Sequence, residues 1–248
     1  MPQARTFSAF LFVLLSLIIL SANAQNYMKV NSDLKAATEP QLITRKGIKV
    51  IPYYSFGDFK VTESKAGASN TTTVGGGNMQ VATQNQKLRF TLVNSAIDYT
   101  VKVNMEKQGR FAESQVFFES LTFSDGGVNV VSEIAGNKGS DWTLVTSWST
   151  GSNISSGIVA GDKEYQVVTV TELEGKSSKF FAAMSLWMGF EVFDGDKAIA
   201  AVQTMPVKGG KPTFASWIHP DLSPEDQTKM ASSLTALLVI TNNQLLTE

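Results

Sequence analysis

The stretch SPEDQTKMASSLTALLVI, residues 223–240, decides the fold. Ser223 suits the N-cap of a helix and Pro224 its first position, where no amide is left orphaned. Asp226 falls at the third position, from which a carboxylate returns a hydrogen bond to the cap. From Met230 to Ile240 no residue is charged, and Met230, Leu234, Leu237, Leu238, Val239 and Ile240 are spread around much of the helix circumference. A helix apolar on most sides must be buried on most sides. We therefore expect a C-terminal helix over residues 224–241, laid deep against or threaded through a curved sheet.

Upstream of this helix the chain is β-patterned. Leu88, Phe90 and Leu92 alternate with Lys87, Arg89 and Thr91, and Ile97 to Met105 alternate with Asp98 to Glu106. A period of two gives each strand one dry and one wet face, as in an antiparallel sheet. Further strands are expected over residues 48–61 (one bent strand, interrupted at Pro52 and Gly57), 116–123, 128–134, 142–148, 165–172, 180–193 and 198–204. Turns are expected at Ser124-Asp125-Gly126-Gly127, Gly136-Asn137-Lys138-Gly139 and Asp194-Gly195-Asp196. Residues 62–86, with the threonine run 71–73 and Gly75-Gly76-Gly77, are taken as a long surface loop. Those glycines are not a phosphate cradle, since no Lys-Ser/Thr and no helix follow them. The fold class is mainly β: a closed or nearly closed antiparallel barrel with a buried hydrophobic C-terminal helix, or alternatively a β-sandwich with that helix on one face.

The N-terminus has the pattern of a secretory leader. Arg5 is the only charge before Lys29, Phe10–Leu20 is apolar, and Ala22-Asn23-Ala24 supplies small residues for cleavage. The apolar run is shorter than the ~20 residues that span a bilayer, so residues 1–24 are expected to be a signal peptide. Residues 25–46 are then a loose polar arm and 47–248 a single β-rich domain, exported to the periplasm, the outer surface or the medium, with no stable membrane span after cleavage. Loss of Arg5 takes the 21 basic residues to 20 against 22 acidic ones, a formal charge of −2. Nucleic acid is excluded as a partner, because no basic stripe is present.

Catalytic side chains are sparse. The chain has no cysteine and one histidine, which removes thiol chemistry, most zinc sites and any assured triad base. No cofactor and no metal are expected. His219 is a turn residue unless Asp221 orients it for proton transfer. Asp194 and Asp196 lack the acidic spacing of a calcium loop. Trp142 and Trp148 share a strand face with Leu144 and Thr146, which fits either core packing or a stacking platform for sugars.

The order of elements gives a resemblance. Many short antiparallel strands, a hairpin GFEVFDGDKAIA (residues 189–200), then Trp217-Ile218, Pro220-Asp221 and an apolar C-terminal helix together resemble the tubby C-terminal-like superfamily, which includes scramblase-like proteins. The resemblance covers Tyr53 to Ile240 and implies a closed barrel around a hydrophobic helix. The basic residues with which some members bind phosphoinositides have no matching positions here, so it implies a fold and leaves function open. Three functions follow as expectations: a non-catalytic binding or structural module of the bacterial envelope, presenting barrel ends or the loops 62–86 and 136–141 to an envelope protein; a carrier of an apolar small molecule or lipid; or a hydrolase using acidic residues. Catalytic and ligand-binding residues are not assignable from sequence, and neither is the oligomeric state.

Overall fold

The computed structural model describes residues 26–47, 49–76, 79–115, 122–139, 141–149, 154–174, 188–207 and 213–242. The leader, residues 116–121 of the strand expected at 116–123, and residues 180–187 of the strand expected at 180–193 lie outside these residues. Among the described residues the elements are α1 (Ser32–Ala37), β1 (Gln41–Lys46), β2 (Tyr53–Phe56), β3 (Phe59–Ala66), β4 (Asn70–Gly76), β5 (Met79–Asn94), β6 (Tyr99–Gln115), β7 (Thr122–Gly136), β8 (Trp142–Ser149), β9 (Ser155–Ala160), β10 (Lys163–Val170), β11 (Gly189–Asp194), β12 (Lys197–Gln203), β13 (Thr213–Ile218) and α2 (Pro224–Asn242).

The strands form one antiparallel meander. It runs from β13 down to β5, while β1 joins β13 to β2 and β3. Pairing of β3 with β5, from Phe59 opposite Asn94 to Ala66 opposite Leu88, closes a barrel of twelve strands. The thirteenth, β4, continues the line of β3 along the other half of β5, from Asn70 opposite Asn85 to Gly76 opposite Met79. Since β3 stops at Leu88 and the β7–β8 ladder begins at Gly127 opposite Ser149, β4, the far halves of β5 and β6 and the first residues of β7 (122–126) extend past the barrel as a four-stranded flap.

The helix α2 passes through the barrel. Every residue from Thr228 to Ile240 is buried, and Leu234, Ala236, Leu237, Leu238 and Val239, which point in different directions, are all at 0% exposure. They share one core with inward residues of every part of the wall, among them Ile43, Tyr54, Leu92, Val103, Ile134, Leu144, Phe190 and Phe214. Its N-terminus carries the expected cap: the Asp226 amide donates to Ser223 Oγ at 3.1 Å, and that hydroxyl donates to Asp226 Oδ2 at 2.8 Å. The hydroxyls buried in the helix bond locally. Ser232, Ser233 and Thr235 donate to the carbonyls of Thr228, Lys229 and Ala231 at 2.8–3.0 Å, so no strand partner is needed.

Several expectations are corrected. Residues 62–86 are mostly strand, because the long ladder of β5 with β6 holds them wherever local turn chemistry is silent. Ser124-Asp125-Gly126-Gly127 is not a turn but the start of β7, each residue paired with β6. Residues 48–61 hold two strands, with Phe56 opposite Phe59 and Gly57 at φ +49 opening the two-residue loop, a conformation glycine adopts without strain.

The arm 25–46 is not loose. It forms β1 in the barrel wall and, before it, a strap over the outside of β11–β13. Met28, Val30 and Leu34 are buried there against Met188, Ala201, Ala215 and Trp217 in a second apolar cluster. The Gln203 side chain holds the strap at both ends of its amide, accepting from the Met28 amide at 2.8 Å and donating to the Asn26 carbonyl at 2.9 Å. Gly189 is required by close approach to β12, since a Cβ there would collide with the Val202 carbonyl and also meet Met28 Sδ at 2.5 Å.

Candidate functional site

The residues singled out by sequence are placed in ordinary structural roles. His219 is nearly buried, and its Nδ1 accepts from the Asp221 amide at 3.2 Å in the turn before α2. Asp221 reaches Lys197 at 2.9 Å, and this ion pair holds its carboxyl below the usual range. Asp194 and Gly195-Asp196 form the β11–β12 hairpin end, with Asp194 opposite Lys197 and Gly195 at φ +58. Among the described residues no group of three or more acidic or histidine side chains is arranged to hold a metal ion.

The tryptophans belong to the core. Trp142 is buried, packs on Tyr165 with ring centroids 5.5 Å apart and lies 5.8 Å from Lys229 Nζ. Trp148 is half-buried against the same core, so the pair makes no exposed platform. The connection at 136–139 is tied down rather than presented: Tyr99 Oη donates to the Lys138 carbonyl at 2.5 Å and the Asn137 amide to Thr100 at 3.1 Å.

Among the described residues Lys107, Glu191 and Lys229 are buried charged groups, Lys229 on α2 beside the Trp142 ring. Glu191 lies under the strap, where burial pushes its carboxyl up, partly offset by the Asn31 amide that donates to it at 2.5 Å. Lys107 continues the inward face of β6 after Met105 and is only 4% exposed, and burial pushes its ammonium down.

What remains open is the outside of the barrel across β3, β5, β6 and β7. A groove of about 570 Å³ runs there, adjoined by a second of about 460 Å³, within the size range of small-ligand sites. Its floor is set by register. Lys65 stands opposite Arg89, Arg89 opposite Asn104, and Asn104 opposite Glu133, so one row across four strands carries two cations, an amide and a carboxylate. The next row holds Lys87, Glu106 and Val131. All seven side chains are exposed.

The Lys65–Arg89 neighbours are the anomaly. Like charges directly opposite on a sheet have Cβ atoms roughly 5 Å apart and destabilise it. Neither cation, nor Glu133, forms an ion pair within 4 Å among the described residues. Lys87 and Arg89 were visible in the sequence as a wet strand face. Lys65 was not, because residues 62–86 lacked the apolar alternation that marks a strand.

Comparison of the chain with family models, with curated protein sequences and with solved structures finds no match.

Proposed function

We propose that the protein is an exported, non-catalytic binding module of the bacterial cell envelope, and that its ligand site is the groove across β3, β5, β6 and β7. The observation that carries this reading is the like-charge Lys65–Arg89 couple on the groove floor, without an ion-pair partner among the described residues. Folding gains nothing from that couple, whereas an anionic group seated between the two cations turns repulsion into attraction. Export rests on the leader pattern of residues 1–24. Kinship with the tubby C-terminal-like superfamily rests on the closed barrel around a C-terminal helix and extends to the fold alone.

The other readings draw less support. A carrier of an apolar molecule needs room between helix and wall, and here α2 is packed on every side by the wall. A glycosidase needs two carboxylates flanking the scissile bond, and Glu106 and Glu133 stand on neighbouring strands of one face. Among the described residues no helix is long and apolar enough to cross a membrane.

The test is a fragment screen by NMR on protein purified from the exported fraction, whose mass should place Gln25 at its N-terminus. Hits of whatever chemistry should shift the amides of Lys65, Arg89 and Asn104. Hits confined to the strap or the barrel ends, or a mature protein that retains Met1, would overturn the proposal.

A further inference from the structure

Resting on that binding reading, we infer that the groove takes a dipolar ligand: a short extended peptide of about three residues with free termini, laid across the strands with its carboxylate between Lys65 and Arg89 and its ammonium at Glu133. The floor is not a simple anion trap. Lys65, Lys87, Arg89 and Lys102 are matched by Glu63, Glu106 and Glu133, so a polyanion would meet nearly as much repulsion as attraction. What distinguishes the floor is the order of its charges.

In the row Lys65, Arg89, Asn104, Glu133 the sign runs from positive at β3 to negative at β7. The next row runs the same way, from Lys87 to Glu106, and ends on the apolar Val131. The row on the other side is reversed, with Glu63 opposite Thr91 and Thr91 opposite Lys102. A dipole is therefore favoured in one direction along the two aligned rows, and one that slips onto the reversed row meets like charges.

Length follows from strand spacing. Neighbouring strands lie ~4.8 Å apart, so Arg89 and Glu133, two strands apart, are separated by about 10 Å at the backbone. An extended chain covers at most ~3.5 Å per residue, so about three residues span that distance. Asn104 stands midway with one amide that both donates and accepts, as a central peptide group requires. Arg89 offers the planar fork that grips a carboxylate with two parallel bonds, and Lys65 closes on the same group from β3.

The probes are tri-alanine with free termini, its N-acetylated form and its C-amidated form, titrated at low salt into the full exported protein by calorimetry and NMR. The free peptide should shift the amides of Arg89, Asn104 and Glu133, and blocking either terminus should weaken binding tenfold or more. Arg89→Ala and Glu133→Gln should each abolish the preference for the free form; both side chains are exposed, and each variant's unchanged melting curve should show that it folds. Equal binding of free and blocked peptides overturns the inference, and so does binding of the free form that ignores Glu133→Gln. Absence of binding by all three probes overturns it too, while groove-directed fragments of other chemistry would leave the groove itself standing.

Discussion

The outer wall of the barrel has two faces treated in opposite ways. Over β11–β13 the outward residues include the apolar or small Ala201, Ala215 and Trp217 beside the polar Glu191 and Gln203, and the chain covers them with its own residues 26–37. Over β3, β5, β6 and β7 the outward residues include Lys65, Lys87, Arg89, Asn104, Glu106 and Glu133, and no described residue covers them. Where the chain needs burial it supplies a strap with a fixed register, an amide clamp at Gln203 and ion pairs from Lys29 to Glu172 and Lys35 to Glu174 at its exposed side. Where it leaves a face bare, the arrangement includes a like-charge couple that works against stability. The first face is about folding, and the second is free to serve a ligand.

The largest effect that tests this contrast falls on the strap. Leu34 is at 0% exposure in the strap cluster although α1 is only six residues long. Leu34→Ala should therefore behave as a core substitution and cost about 2–5 kcal/mol, a fall in melting temperature of about 4–20 °C for a chain of this size. Hydrogen exchange should show residues 26–37 opening before the barrel, because the strap is a surface element with few partners of its own. A change of less than a degree would mean that the strap is an ornament and that the two faces are alike.

A smaller effect distinguishes the faces by pH. Burial beneath the strap raises the Glu191 carboxyl above its ordinary value, so the folded state favours the protonated form. Stability from this group is full below the ordinary carboxylate range and is lost as pH rises through the raised value. Glu191→Gln removes the titration while its amide oxygen still accepts from Asn31. The melting temperature of the variant relative to the parent should therefore climb between pH 4 and pH 8. A difference that falls over this interval would show that the ionised carboxylate is what the strap requires.

The sequence made one of these faces legible in part and the other not at all. The wet face of Lys87, Arg89 and Thr91 was readable because its partners Leu88, Phe90 and Leu92 face the core. On β3 the irregularity between Val61 and Glu63 breaks the alternation, and Ser64 and Ala66 stand where large apolar residues would mark a dry face, so Lys65 was lost; on β4 the exposed run Thr71–Thr73 has no period-two signal either. The strap was illegible for another reason. Met28, Val30 and Leu34 are too few to show a period, and their partners lie more than a hundred residues away in β11–β13. The helix was legible throughout, since its cap, its missing charges and its all-round apolar content are local. Function was legible in neither sequence nor motif, because a charge order across four strands exists only once register is set.

The smallest expected effect on stability is the most telling for function. Arg89 is exposed, has no ion pair among the described residues and stands directly opposite Lys65. Removing either member of a like-charge couple relieves repulsion that in exposed pairs amounts to a few tenths of a kcal/mol, and it buries nothing new. Lys65→Ala and Arg89→Ala should therefore leave the melting temperature unchanged or raise it by a degree or so, most clearly at low salt where screening is weakest. The double variant should gain no more than either single one, since either alone removes the same repulsion. This outcome sets Arg89 apart from Leu34: the chain holds Leu34 because the fold needs it, and it holds Arg89 against a small cost to the fold. A destabilisation of more than 1 kcal/mol by either groove variant would place these cations among the structural residues and remove the reason for reading the open face as a site.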